Sequence, residues 1–194
     1  MDLAVDKLVH DFGIAGSLAD GDVVERRLSD LGGTFADDDA LRDAAAANDR
    51  IVYTVTSAAG GDGEGDLGYG LGVLQPGRVG DEYHLTKGHL HAWRPAAEVY
   101  IGLRGSGAML LQDEDGGGSR LVPFGAGEIV YVPGDTAHRT VNTGDEPLVY
   151  LGVYPARAGH DYGALAESNF RHVVLAGPDG PVLRERRELD EERS

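Results

Sequence analysis

From Arg50 onward, apolar and polar positions alternate with a period of two and β-branched residues become frequent. Ile51-Val52-Tyr53-Thr54-Val55-Thr56 has the pattern of a strand with one face in a core. The alternation returns at Leu67–Leu74, Glu98–Leu103, Ala108–Gln112, Arg120–Phe124, Glu128–Val132, Arg139–Asn142 and Leu148–Tyr154, with Gly or Pro at nearly every junction. Short strands about 8–12 residues apart, with no helical periods between them, predict an all-β sandwich or barrel over residues 50–175.

The flanks read differently. Residues 1–49 are rich in Ala, Asp and Leu and poor in β-branched types. Ser29-Asp30-Leu31-Gly32-Gly33 predicts a turn, and Asp37-Asp38-Asp39 predicts the start of a helix running through Leu41 and Ala44 to Ala47. Acidic residues at that end suit the positive pole of a helix. The segment therefore predicts an N-terminal extension of short helices packed on the barrel. At the other end, residues 176–194 carry the charged run Arg184-Glu185-Arg186-Arg187-Glu188, which predicts a solvated tail or frayed helix. Within the barrel, Ala59–Asp66 is so rich in Gly that it predicts a flexible loop lengthening a hairpin. Its place in the chain would also let it cover a pocket.

Charge and composition narrow the partners. The chain has 194 residues, no cysteine and a formal net charge of −16. Disulfides, thiolate metal sites and cysteine nucleophiles are excluded, so any metal must take nitrogen and oxygen ligands. The charge disfavours nucleic acid and anionic membrane as partners. It would also repel a phosphorylated metabolite unless a site supplies a local positive field. No apolar run is long enough to span a bilayer, and Met1–Lys7 lacks the pattern of a signal peptide, so the expected compartment is the cytoplasm.

Chemistry concentrates in two blocks. In Thr86-Lys87-Gly88-His89-Leu90-His91, two histidines lie two apart, so on a strand both imidazoles face one side. Glu98 follows beyond a turn containing Pro95 and can return a carboxylate to the same interior. The second block, Gly127 to Asn142, supplies His138 after Pro133-Gly134-Asp135. Three imidazoles and one carboxylate suit one divalent transition metal such as iron, manganese, nickel, zinc or cobalt, whereas calcium or magnesium would want more oxygen. His10, His84 and His172 lack such a context and read as structural or exposed.

These blocks resemble the two motifs of the cupin superfamily, small jelly-roll β-barrels whose first motif carries two histidines and a glutamate and whose second carries a histidine. Six residues separate His91 from Glu98, against three or four in most cupins. That gap, with Thr86–His91, Ala97-Glu98-Val99-Tyr100, Ala137-His138-Arg139-Thr140-Val141-Asn142 and Tyr154-Pro155-Ala156…Ala158-Gly159-His160-Asp161-Tyr162-Gly163, is similar to the cupin-type glucose-6-phosphate isomerases. The resemblance implies a metal-dependent aldose–ketose isomerase acting on glucose 6-phosphate, with Fe2+ the first choice of metal, and a homodimer. It implies that His89, His91, Glu98 and His138 hold the metal and that Glu98 carries the proton, helped by Tyr154 and His160. Tyr53, Thr86, Lys87, Gly88, Tyr100 and Tyr162 then fall to substrate binding. The rival readings are a mannose-6-phosphate isomerase, a cupin dioxygenase, and a sugar-binding cupin without turnover.

Overall fold

A computed structural model describes residues 21–166 and 168–193. In chain order the strands and helices are β1 (Asp22–Arg27), α1 (Asp38–Ala47), β2 (Ile51–Ala59), β3 (Leu67–Leu74), β4 (Arg78–Val79), β5 (Glu82–Tyr83), β6 (Leu90–His91), β7 (Glu98–Arg104), β8 (Ser106–Asp113), β9 (Ser119–Gly125), β10 (Ile129–Val132), β11 (Thr136–Val141), β12 (Leu148–Pro155), β13 (His160–Asp161), β14 (His172–Gly177), β15 (Gly180–Glu185) and α2 (Arg186–Arg193). All eight strands expected from the alternation are present. The strands form a six-stranded sheet β1-β2-β3-β12-β7-β10, a three-stranded sheet β11-β8-β9, a four-stranded sheet β15-β14-β5-β4 and the pair β13-β6. Every pairing is antiparallel, and the bridges Leu85–Val141 and His89–His138 tie the segment between β5 and β6 to β11. The result is the cupin jelly-roll barrel.

The period-two pattern puts one set of side chains inside. Leu74, Leu85, Met109, Leu110, Phe124, Val132, Leu148 and Phe170 are almost wholly buried, and each such side chain contributes about 1.5–3 kcal/mol. Helix α1 starts where the acidic run predicts it. The Asp37 carboxylate accepts from the Ala40 N–H at 2.8 Å, occupying one of the free donors of the first turn. Leu28, Leu31, Phe35 and Leu41 dock this segment on the barrel.

The structure refines three expectations. The segment ahead of residue 50 is not all helix and turn, because Asp22–Arg27 is a strand in register with β2 from Ser57 to Ile51. Its residues are mostly exposed, as an edge strand permits; its order comes from backbone bonds to β2 rather than from an alternating pattern. His10 lies outside the described residues. In the C-terminal stretch the charged run passes from β15 into helix α2, the helical one of the two readings. Val173 and Val174 bury in β14, β15 returns beside it, and the charged run closes ion pairs on α2, Arg184 with Glu188 and Glu192, while Leu189 anchors the helix. Finally, the Gly-rich loop lengthens the β2–β3 hairpin, and none of its residues lines the cavity described below. The Asp66 carbonyl accepts from the Ala156 N–H at 2.9 Å, and Glu64, Gly65 and Asp66 lie with Trp93, Pro155 and Arg157. No helix among the described residues is long and apolar enough to cross a membrane.

Candidate active site

The strands place a cluster at the inner end of a cavity of about 230 Å³. His89, His91, Glu98 and His138 each offer one ligand atom, and those atoms lie within 4.8 Å of one another. Short β6 and the His89–His138 bridge bring the two motifs together, and Glu98 opens β7 beside them. The imidazoles are oriented by nearby main chain. His91 Nδ1 sits 2.9 Å from the Ala96 carbonyl and His138 Nδ1 sits 3.0 Å from the Thr136 carbonyl. A carbonyl can only accept, so both rings carry their proton on Nδ1 and turn an Nε2 lone pair toward Glu98 Oε2, 3.2 Å from each.

That geometry fits a cation. Lone pairs from two imidazoles meet a carboxylate oxygen, and the buried Nε2 of His89 has no hydrogen-bond partner. Burial and the imidazoles of His138, His160 and His91 hold the His89 pKa well below its usual value, so that ring is neutral and ready to ligate. Burial alone would raise the Glu98 carboxyl, yet the His138 and His91 rings facing it outweigh burial and bring the pKa down to about 2. Three imidazoles and one carboxylate form a donor set that could hold a divalent transition metal.

The remaining expected residues surround the same space. Tyr53, Thr86, Lys87, Gly88, Tyr100, Tyr154, His160 and Tyr162 all line the cavity. Strand β13 pairs with β6, His160 opposite His91, which brings the Ala158–Gly163 segment against the ligands. His160 lies 4.4 Å from the His89 ring and stacks on Tyr162 at 5.9 Å. Arg94 holds this junction through the Asp161 carboxylate at 2.8 Å and the His91 carbonyl. On the same cavity wall the Lys87 N–H points at the Tyr53 hydroxyl, 3.4 Å away, and the Lys87 ammonium lies 5.6 Å from the Tyr162 ring. Thr86 Oγ1 accepts from the Thr140 N–H at 3.1 Å. Of the other two histidines among the described residues, His84 is buried outside the cavity and His172 is half-buried in β14.

Several lining residues escape a sequence reading. Val24 and Arg26 come from β1, Val55 and Ser57 from β2, and Tyr150 and Gly152 from β12. Arg26 could have been found only by recognising β1 as a strand paired with the one that carries Tyr53. Tyr150 and Gly152 share the inward face of β12 with Tyr154, so the alternation did contain that signal.

The sequence profile of the glucose-6-phosphate isomerase (GPI) family matches residues 25–190. A glucose-6-phosphate isomerase of Pyrococcus horikoshii is 51% identical over 150 residues, 77% of this chain and 79% of that protein. One of Thermococcus kodakarensis is 48% identical over 157 residues, 81% of this chain and 82% of that protein. Among solved structures, an oxalate decarboxylase from Bacillus subtilis matches with a TM-score of 0.45 and 24% identity, over 56% of this chain and 26% of that chain.

Proposed function

The chain belongs to the glucose-6-phosphate isomerase family, and on that premise we propose that it interconverts glucose 6-phosphate and fructose 6-phosphate through an enediol(ate), a step of glycolysis and gluconeogenesis in the cytoplasm. The observation that carries this reading is one cavity lined both by His89 and Glu98 of the His3Glu cluster and by Tyr53, Thr86, Lys87 and Gly88.

His89, His91, Glu98 and His138 are the proposed ligands, with Fe2+ the first choice and Mn2+, Ni2+, Zn2+ or Co2+ compatible with the same donors. The chemistry a divalent ion supplies when bound is polarisation of the substrate carbonyl and stabilisation of charge on its oxygen. The protein's own residues do the rest. Glu98 turns Oε2 to the imidazoles, while Oε1 packs against Gly152, where a Cβ would strike it. One oxygen can therefore ligate while the other, on the cavity side, moves the proton between C1 and C2. His160, whose pKa is lowered chiefly by burial, stays neutral and can exchange a proton with a sugar oxygen. Tyr154, half-buried beside it, offers a hydroxyl to the same region. Tyr53, Thr86, Lys87, Gly88 and Tyr162 line the end that takes the phosphate, and Arg26 adds a second cation to a wall of an otherwise acidic protein. Tyr100 lies beside Glu98 on the interior face of β7.

A homodimer is part of the proposal. Two apolar rows, Ile129–Ile101–Leu151 and Tyr131–Val99–Val153, run across β10, β7 and β12 on the outer face of the large sheet. Ile129 and Tyr131 are 67% and 62% exposed, a continuous patch that a second copy would cover.

The test follows fructose 6-phosphate formation from glucose 6-phosphate, on protein stripped with chelator and reloaded with single metals. Turnover is expected to vanish on stripping, to return with metal, and to be absent from the His89→Ala/His138→Ala variant. Tight metal binding with no turnover for any metal would overturn the isomerase assignment.

A further inference from the structure

Tyr150 stands directly opposite Gly72 across β12 and β3, and both face inward. At Gly72 a Cβ would run into the Tyr150 ring and hydroxyl, so the absence of a side chain there is what admits the phenol. The ring is packed by Tyr100 at 5.4 Å and Phe124 at 6.3 Å, and Tyr150 lines the cavity.

Its hydroxyl ends a chain. Thr86 and Thr140 are joined by the Thr86 N–H to the Thr140 carbonyl at 2.9 Å and the Thr140 N–H to Thr86 Oγ1 at 3.1 Å. Their hydroxyls lie 3.2 Å apart, and Thr140 Oγ1 donates to the Tyr150 hydroxyl at 3.0 Å. Each hydroxyl has one proton. If Thr140 gives its proton to Tyr150, the bond between the two threonines needs the proton of Thr86. The hydroxyl proton of Thr86 is then spent inside the protein, and the donor left over is the Tyr150 O–H, on the cavity side of the network.

We propose that Tyr150 is a substrate-binding residue that donates to a phosphate oxygen, with Gly72 making room for its ring and Thr86 and Thr140 orienting its hydroxyl. The assignment of this end of the cavity to phosphate rests on the isomerase reading above. Tyr150 binds and Thr140 positions it.

Equilibrium binding of fructose 6-phosphate to metal-loaded protein, followed by titration calorimetry, decides the matter whether or not the protein turns over. Tyr150→Phe keeps the ring and removes the donor, so the dissociation constant is expected to rise about tenfold, the value of one hydrogen bond to a charged acceptor. Inhibition by inorganic phosphate should weaken by a similar factor, and KM should rise more than kcat falls. Thr140→Val should weaken binding several-fold, and Thr140→Ser, which keeps the hydroxyl, should restore it. Unchanged fructose 6-phosphate binding in a folded Tyr150→Phe protein would overturn the proposal, as would a loss confined to kcat. If the wild type turns over and that variant binds as well as it does, only this proposal fails. An inactive wild type that still binds more tightly than the variant would instead fail the isomerase reading and leave Tyr150 in its place.

Discussion

The ligand cluster and the proposed phosphate end of the cavity are built by different means. At the inner end, four ligands come from two short stretches, and their orientation is set by carbonyls only two and five residues away, Thr136 for His138 and Ala96 for His91. At the other end, Arg26, Tyr53, Thr86–Gly88, Tyr150 and Tyr162 arrive from five separate segments and are held by hydroxyl contacts and by glycines that leave space. The inner end should therefore be sensitive to small errors of position. The outer end, with several partners each contributing a little, should lose function gradually.

Gly152→Ala tests that contrast with the largest effect. The added methyl would press on Glu98 Oε1 and move the carboxylate that faces both the imidazoles and the substrate carbons. A misplacement of about 1 Å at reacting groups costs on the order of 100-fold in rate. We expect kcat to fall by about that factor and retained metal to drop, while inhibition by inorganic phosphate stays close to wild type. Steady-state kinetics with metal analysis of the purified variant checks it. A variant that loses phosphate inhibition instead would show that the two ends are not independent.

The outer end has a hidden brace. Arg139 is buried between the barrel and the C-terminal hairpin, its guanidinium 4.0 Å from the Phe170 ring. It donates to the Lys87 carbonyl at 2.8 Å and to Asn169 at 3.0 Å, and its Nε lies close behind Gly88, whose φ of +74° no side chain would favour. Burial lowers the Arg139 pKa to about 9, the Glu82 carboxylate opposing the shift. Arg139→Met removes a buried cation and its hydrogen bonds to the Lys87 carbonyl and to Asn169, for an expected loss of about 3 kcal/mol in urea unfolding. KM for glucose 6-phosphate should rise as the Lys87–Gly88 turn loosens. Stability within about 0.5 kcal/mol of wild type would mean that the turn holds itself.

How much of this was legible follows the same division. The barrel strands and the start of α1 could be read because burial imposes a local period and capping is a local rule. His89, His91, Glu98 and His138 stood out because ligand chemistry needs unusual residue types at close spacing. Arg26 did not, since β1 is ordered by its neighbour β2 and carries no apolar face of its own. Nor did Gly72, because a glycine that makes room for a phenol on another strand looks like any other glycine until the register is known. The charged run at 184–188 read as a tail or a frayed helix because its ion pairs form only once α2 exists.

The smallest expected effect concerns the segment that serves both ends. His84 begins the stretch running through Thr86 to His89 and His91. Its carbonyl accepts from the N–H of Asn142, the residue after β11, at 2.9 Å, and Gly77 leaves space for its ring. Burial lowers its pKa to about 4, the Gln75 carbonyl opposing and the nearby Arg50 guanidinium adding to the shift. The unfolded chain, with an ordinary value near 6.5, therefore binds this proton more tightly than the folded protein does. Stability is complete above about pH 6.5 and falls as pH drops through the window down to about 4. By about pH 5 the loss from this one group should reach roughly 2 kcal/mol. Urea midpoints at about pH 7 and pH 5 should show that drop in the wild type and a flatter dependence in His84→Gln. Equal pH dependence in both proteins would move the acid sensitivity from His84 to the ligand histidines, and with it the weak point from the root of the segment to the inner end of the cavity.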